Sequence, residues 1–182
     1  ETLRHAGIPA TASRIIDHHD QRFLEVERFD RIGDRGRRAL ISLATLDAEF
    51  LGTGSGPWPV LTHKLAAARL WAFGTLIGNT DMHSGNLSFI TDQGRPYALA
   101  PAYDMTPMAF APRSGGSLPD TLPPADIHAS VSNTIWRDAE ELARDFVARV
   151  RATEGFSARF AGCVDALVAH GETAGERIGR LG

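Results

Sequence analysis

Three polar residues whose types and spacing could do chemistry follow one apolar segment of the sequence. Asp81 and Asn86 are five residues apart, in a polar stretch that begins where an apolar run ends at Gly78, and Asp104 comes later, after two short β-type segments. Phosphoryl transfer needs an aspartate that orients or deprotonates the attacking hydroxyl, and oxygen ligands that hold Mg²⁺ on the nucleotide phosphates. An Asp, an Asn and a second Asp beyond a small hairpin supply that set in that order.

Each of these residues, taken singly, also has a simpler structural interpretation. Asn79, Asp81 and Asn86 can form Asx turns that end a helix. Asp104 can be an ordinary turn residue. The phosphoryl-transfer interpretation therefore depends on the combination, in which spacing, order and strand context agree.

The surrounding elements must position these residues, and their pattern predicts an α+β fold that is mostly helical. Residues 65–78 are apolar on nearly all sides of a helix, which predicts a buried central helix. Residues 87–91 and 97–100 are predicted to form a small hairpin after the polar stretch. The other predicted elements are a helix end at 2–6, a hairpin of 12–17 and 22–29, a charged loop at 30–38, helices at 38–50 and 136–152, an irregular connection at 113–126, and a helix that begins at Ser157.

Length and composition exclude several classes of protein. A chain of 182 residues has the size of one domain or one large lobe. Its 43% hydrophobic and 23% charged residues exclude wholesale disorder. A net charge of −3 gives no global basic field for nucleic acid. A single cysteine, Cys163, cannot form an internal disulfide, which favours a reducing, cytoplasmic setting. No apolar run approaches the ~20 residues that span a bilayer.

Two segments carry a resemblance to a known family. Residues 78–89, Gly-Asn-Thr-Asp-Met-His-Ser-Gly-Asn-Leu-Ser-Phe, and residues 99–105, Leu-Ala-Pro-Ala-Tyr-Asp-Met, together resemble the HipA family. Members of that family are serine/threonine kinases that act as the toxin of bacterial toxin–antitoxin pairs. Residues 26–31 resemble the segment where the family's two kinase lobes join. The resemblance extends from about residue 3 to residue 108 and implies a protein-kinase-like C-terminal lobe.

The resemblance implies a role for each matching residue. Asp81 matches the family's catalytic base, and Asn86 and Asp104 match its metal ligands. His83 lies in the same loop, where the resemblance implies that it shapes the loop or reaches phosphate, although an ordinary loop histidine is an equally good interpretation. The implied cofactors are ATP and Mg²⁺ in the intact protein.

The segment where the lobes join has implied residues of its own. Glu27 and Phe29 match positions whose backbone meets the adenine, although a plain strand end is an equally good interpretation of their side chains. Residues 1–30 are accordingly expected to be the hinge and the end of an N-terminal lobe. Residues 31–182 are expected to be the C-terminal lobe, with the N-terminal lobe absent from this chain.

The chain departs from the family in lacking an evident phosphate-binding loop and lysine. Its one lysine, Lys64, follows the hinge-like segment and is expected to lie near the start of the central helix instead. The glycine-rich residues 52–56 lack the ending of a phosphate loop and are expected to be a connection. The chain alone is therefore expected to be inactive as a kinase.

Three functional classes remain open from the sequence. The leading one is a lobe of a HipA-like kinase whose substrate is a protein Ser/Thr hydroxyl, with a possible helix-turn-helix antitoxin as partner. The second is a small-molecule phosphotransferase of the aminoglycoside-kinase type, because the same Asp/Asn/Asp layout occurs there. The third is a non-catalytic regulatory or DNA-binding-associated module. Neither direct nucleic-acid contact by this lobe nor membrane association is expected.

Overall fold

A computed structural model of the chain describes residues 1–54, 56–62, 65–92 and 94–181. The chain divides into two compact units. The first comprises Glu1, Leu3–Gly54 and Ser84–Asp104, and the second comprises Thr2 and the described parts of Ser55–His83 and Met105–Gly182. The first unit holds the strands and the second holds most of the helices, so the predicted α+β fold is confirmed. The predicted division at residue 30 stays a prediction.

The first unit is built from two hairpins, a three-stranded antiparallel sheet and two helices. The first hairpin turns at His19 and Asp20, which both have positive φ, as a two-residue hairpin turn requires. The three-stranded sheet has the strand order β5–β6–β7. The elements of this unit are α1 (Thr2–His5, of which Thr2 is assigned to the second unit), β1 (Ser13–His18), β2 (Gln21–Val26), β3 (Arg31–Ile32), β4 (Gly36–Arg37), β5 (Ala39–Ser42), α2 (Leu43–Phe50), β6 (Ser88–Thr91) and β7 (Ala98–Leu99).

Two predictions for residues 30–50 are wrong in part. The predicted helix at 38–50 is divided, because β5 pairs antiparallel with β6 before α2 begins. Ser42 ends the strand, and its side chain accepts a hydrogen bond from the Thr45 N–H, so it caps the shorter helix. The predicted charged loop at 30–38 contains the short strands β3 and β4.

A buried carboxylate organises the glycine-rich connection that follows α2. Asp47 is 2% exposed and accepts hydrogen bonds from the Gly54 N–H at 2.7 Å and from the N–H and hydroxyl of Thr53. These bonds, that of the hydroxyl above all, hold the pKa of this carboxyl below its ordinary value. The predicted connection is confirmed for residues 52–54, and Ser55 lies outside the described residues.

The second unit is a group of helices around α4. Seven of the twelve residues of this helix are buried, and it packs against α3, α5 and α6, so the predicted buried central helix is confirmed. The elements are α3 (Trp58–Leu61), α4 (Leu65–Leu76), α5 (Asn133–Ala152) and α6 (Ala161–Gly179). Lys64, for which the sequence predicts a place near the start of α4, lies outside the described residues. Among the described helices, none has the length and apolar character that crossing a membrane requires.

The starts of the two C-terminal helices differ from the prediction. α5 begins at Asn133, three residues earlier than predicted, because the Ser132 hydroxyl caps its first turn. The helix predicted from Ser157 begins only at Ala161, after a 3₁₀ turn at Ala158–Phe160. Ser157 makes no side-chain capping bond to that turn.

Helix α4 ends in a Schellman motif that leads directly into the polar stretch. The Asn79 N–H donates to the Gly74 carbonyl at 2.9 Å, and the Gly78 N–H donates to the Thr75 carbonyl at 3.2 Å. Gly78 has φ +74°, and an added Cβ would lie 2.2 Å from Cδ2 of Leu122. Glycine is thus required here both by the backbone conformation and by the close approach of Leu122.

Replacing Gly78 with alanine is expected to destabilise the protein more than the same change at Gly7. Gly7 ends α1 in a similar motif, with φ +71°, but has open space around its missing Cβ. Gly7→Ala should cost about 1–2 kcal/mol of unfolding free energy from the left-handed conformation alone. Gly78→Ala should cost about 1–3 kcal/mol more, since Leu122 must also move. Urea unfolding of both variants measures the difference, and equal losses would contradict the role of Leu122.

Candidate active site

A small hairpin in the first unit joins the two predicted metal ligands. Asn86 ends a 3₁₀ turn at Ser84–Asn86, just before β6, and Asp104 follows β7. The strands pair antiparallel, with Phe89 opposite Leu99, so the residues after β7 run back beside the residues before β6. The hairpin therefore brings the segment that holds Asp104 back towards the 3₁₀ turn that holds Asn86.

The phenol of Tyr103 ties these two segments together. Its hydroxyl lies 2.8 Å from the Gly85 carbonyl and 2.7 Å from the Ser88 hydroxyl. A carbonyl can only accept, so the phenol donates its one proton to Gly85 and accepts from Ser88. The ring of Tyr103 also lies 5.8 Å from that of Phe29, between centroids. The Tyr103 side chain therefore contacts the 3₁₀ turn that ends at Asn86, strand β6, and the predicted hinge residue Phe29.

The backbone around Asp104 is held in an uncommon conformation. Asp104 has φ +53°, the left-handed region that non-glycine residues seldom adopt. Two residues earlier, Ala102 is fixed on both sides: its N–H donates to the Pro9 carbonyl and its carbonyl accepts from the Thr11 N–H, each at 2.9 Å. Such a conformation persists only where the surroundings enforce it, and it concentrates at functional sites.

The donors in this part of the first unit fit a magnesium ion bound together with nucleotide. Mg²⁺ prefers oxygen ligands and binds through one or two protein groups, with water and substrate phosphates completing its shell. The amide of Asn86 and the carboxylate of Asp104 are such groups. Within the described residues, no cluster of three or more His, Cys, Asp or Glu side chains could hold a metal.

Glu27 directly follows β2. Its N–H donates to the Ala12 carbonyl at 2.9 Å, which extends the pairing of the hairpin by one step. This N–H is therefore already used, and the carbonyl is the backbone group of Glu27 that can meet a ligand. An open depression of about 360 Å³ lies beside residues 12–14 and 25–27.

Asp81 and His83, the predicted catalytic residues, belong to the second unit. His83 Nε2 lies 3.9 Å from an Asp81 carboxylate oxygen, and the two side chains are 60% and 49% exposed. Their loop is anchored from within, since the Asn79 side chain accepts from the Asp81 N–H at 3.0 Å and the Trp58 indole donates to the His83 carbonyl at 3.1 Å. The loop backbone is thus fixed while the carboxylate and the imidazole remain accessible.

A glycine within α4 lets two methionines approach the helix. An added Cβ at Gly74 would lie 2.3 Å from the sulfur of Met82 and 3.1 Å from that of Met105. These methionines directly follow Asp81 and Asp104 in the sequence. The sequence signal for this contact is a glycine inside a helix, which costs stability unless a close approach requires it.

The structure thus brings together Phe29, Asp104 and the turn of Asn86 in the first unit, and Asp81 with His83 in the second. The roles of these residues in catalysis and binding stay predictions. Sequence reasoning missed Tyr103 and Trp58 as residues that anchor the site. The hydrogen bonds that they make join residues 18 and 25 positions apart.

Comparison with known proteins identifies the family. A family model described as "HipA-like C-terminal domain" matches residues 60–170. This chain belongs to that family. It is also 36% identical over 195 residues to Toxin YjjJ of Escherichia coli (strain K12), covering 100% of this chain and 44% of that protein. The resemblance to the HipA family is thereby confirmed.

Two solved structures share the fold of this HipA-like chain. The first is HipA of Shewanella oneidensis MR-1, in a complex of HipA, HipB and operator DNA, with a TM-score of 0.61 and 15% identity. The match covers 98% of this chain and 53% of that one. The second is the proinflammatory kinase CtkA of Helicobacter pylori, with a TM-score of 0.57 and 13% identity, covering 100% of this chain and 81% of that one. The kinase-like fold of the lobe is therefore confirmed, and the chain spans about half the length of YjjJ and of HipA.

The surroundings of Tyr103 should be visible in its titration. Burial raises the pKa of the Tyr103 phenol above its ordinary value, and the nearby Asp104 carboxylate raises it further, although the Ser88 hydrogen bond opposes both. The chain has two tyrosines, so Tyr97→Phe leaves Tyr103 as the one absorbing phenol. In that background, with a chelator present, Asp104→Asn should lower the Tyr103 pKa because it removes a negative charge. Absorbance at phenolate wavelengths measures it, and an unchanged midpoint would contradict the expected influence of Asp104.

Proposed function

We propose that this chain is the C-terminal catalytic lobe of a HipA-like, ATP- and Mg²⁺-dependent serine/threonine protein kinase that acts as a toxin. The observation that carries the proposal is the hydrogen bond from Tyr103 to the Gly85 carbonyl at 2.8 Å, next to Asn86 and Asp104. It holds the segments of two oxygen donors together in a chain that belongs to the HipA-like family. Family membership alone would not select these residues.

Each predicted residue has a proposed chemical role. Asp81 accepts a hydrogen bond from the attacking hydroxyl of the substrate, orients it and receives its proton. Its exposure makes it accessible to a hydroxyl on another protein. Asn86 and Asp104 would hold Mg²⁺, which when bound neutralises charge on the nucleotide phosphates. His83 supports the loop beside Asp81.

The proposed adenine contacts are backbone groups of the hinge. Glu27 would accept from the adenine through its carbonyl, since its N–H is donated to Ala12. Phe29 would present the backbone group two residues further on, with its ring against Tyr103. These contacts, like those of the metal ligands, use residues of the first unit.

The proposal includes a second lobe that supplies the glycine-rich loop and the nucleotide lysine. The exposed apolar side chains of the first hairpin support it. Ile15 and Leu24 pair across one face and are 58% and 63% exposed, and Phe23 on the other face is 47% exposed. A hairpin with apolar side chains uncovered on both faces is typical of strands that belong to a larger, covered sheet.

The proposed partners are a protein with a Ser/Thr hydroxyl, as substrate, and an antitoxin. The Shewanella HipA was solved with HipB and operator DNA, which favours an antitoxin partner for this chain too. The small-molecule phosphotransferase and the non-catalytic module predict other outcomes of the same assays. A small-molecule phosphotransferase would show Asp81-dependent ATP consumption with an aminoglycoside. A non-catalytic module would consume no ATP with either kind of substrate.

Replacing Asp81 with asparagine should remove kinase activity without loss of fold. The test protein carries this lobe together with a lobe that has the glycine-rich loop and lysine, and this chain alone is the expected inactive control. A lost general base should lower kcat by about 10²–10⁴-fold. Asp138→Asn, which removes an exposed carboxylate on α5, is the matched control and should leave kcat unchanged. ATP-dependent phosphorylation of protein that survives Asp81→Asn would contradict the proposed base.

The two proposed metal ligands should respond differently to added magnesium. Asp104→Ala removes a charged ligand and should abolish activity at every Mg²⁺ concentration. Asn86→Ala removes a neutral ligand, so raising Mg²⁺ should restore part of its activity. Initial rates across a Mg²⁺ series separate Asn86→Ala from Asp104→Ala and from Asp81→Asn, neither of which added Mg²⁺ should rescue. Full activity of Asp104→Ala at ordinary Mg²⁺ would remove Asp104 from the site.

A further inference from the structure

Tyr103 contacts three parts of the first unit that the proposed function uses. Its phenol donates to the Gly85 carbonyl, next to Asn86, and accepts from Ser88 at the start of β6. Its ring lies against that of Phe29. Asp104 is its neighbour in the chain. No other described tyrosine shares these contacts, since Tyr97, the second tyrosine of the chain, instead lies near Arg95.

We propose that Tyr103 is a positioning residue that fixes the Asn86 turn and Asp104 in the relative arrangement that one divalent cation requires. The inference rests on the proposed function, because it takes these two residues as ligands of the same ion. Tyr103 itself does not touch the ion or the nucleotide. It acts through the turn that carries Asn86 and through the backbone that carries Asp104.

The hydroxyl, and not the ring alone, carries this positioning. Mg²⁺ demands near-ideal octahedral geometry, so two ligands on separate segments must be held at a set separation. The ring packs against Phe29, which orients Tyr103 towards the hinge side. The hydroxyl donates to the Gly85 carbonyl in the 3₁₀ turn, 18 residues earlier in the chain. Phenylalanine would keep the ring contact and lose the link to the turn.

Ser88 gives the phenol its second partner. Ser88 is 3% exposed and pairs through its hydroxyl with Tyr103 at 2.7 Å. Since it donates to the phenol oxygen, it orients the phenol proton towards the Gly85 carbonyl. Ser88→Ala leaves that bond possible but less well directed, whereas Tyr103→Phe removes it. The two variants therefore form a graded series.

A paramagnetic titration of this chain tests the proposal without an activity assay. Mn²⁺ is added to ¹⁵N-labelled protein, and the broadening of the Asn86 and Asp104 amide signals is followed against concentration. In the unaltered chain both signals should broaden together. In Tyr103→Phe the half-broadening concentration should rise about fivefold, the loss expected for one hydrogen bond, and the two signals should broaden at different concentrations. Ser88→Ala should show a smaller rise, and Tyr97→Phe should match the unaltered chain.

The outcomes separate the positioning role from the proposed function. Joint broadening of both signals in Tyr103→Phe at the unaltered concentration would overturn the positioning role and leave the metal site standing. Absence of broadening at both residues in the unaltered chain would overturn the metal site and, with it, this inference. Amide dispersion reports whether each variant is folded. If Tyr103→Phe is unfolded, Ser88→Ala decides, and unaltered Mn²⁺ binding there would overturn the role.

Discussion

The burial of α4 is the constraint on which the second unit depends. A helix with few polar residues is stable in water only when other helices cover it, and α3, α5 and α6 do so. Its C-terminal carbonyls then need partners away from water. The Schellman motif at Gly78 satisfies the Gly74 and Thr75 carbonyls, and His170, which is 8% exposed, lies with Nε2 3.1 Å from the Thr75 carbonyl. The loop of Asp81 and His83 therefore begins at a fixed point.

The first unit is organised by hydrogen bonds more than by helix packing. Its three-stranded sheet forms because β6 has a hydrogen-bonded partner on each side, β5 and β7. The segment before Asp104 is held by Ala102, which bonds to Pro9 and Thr11, and by Tyr103, which bonds to Gly85 and Ser88. Together, these contacts fix the conformation of residues 102–103. They help to keep Asp104 in a left-handed conformation that non-glycine residues seldom adopt.

Local signals predicted α4, the hairpin of β6 and β7, and the helix end at residues 2–6, because each follows from periodicity or a glycine within a few residues. Strand β5 was not predictable in this way. Its four residues continue an apolar pattern into α2, and only pairing with β6, far along the chain, makes them a strand. The site divides similarly: residue types and spacing pointed to Asp81, Asn86 and Asp104. The contacts of Tyr103 join distant positions and leave no periodic signal.

The two sets of candidate residues are anchored in ways that suit their proposed roles. A divalent cation tolerates little displacement of its ligands, since Mg²⁺ bonds are about 2.0–2.1 Å long and nearly octahedral. The segments of Asn86 and Asp104 are accordingly fixed by cross-chain hydrogen bonds and an enforced backbone conformation. A general base that serves a hydroxyl on another protein must instead be reachable, and Asp81 is about half exposed on a loop whose backbone alone is fixed. A proposed metal ligand must be rigid and a proposed base must be accessible, and the two sets of candidate residues are held by correspondingly different contacts.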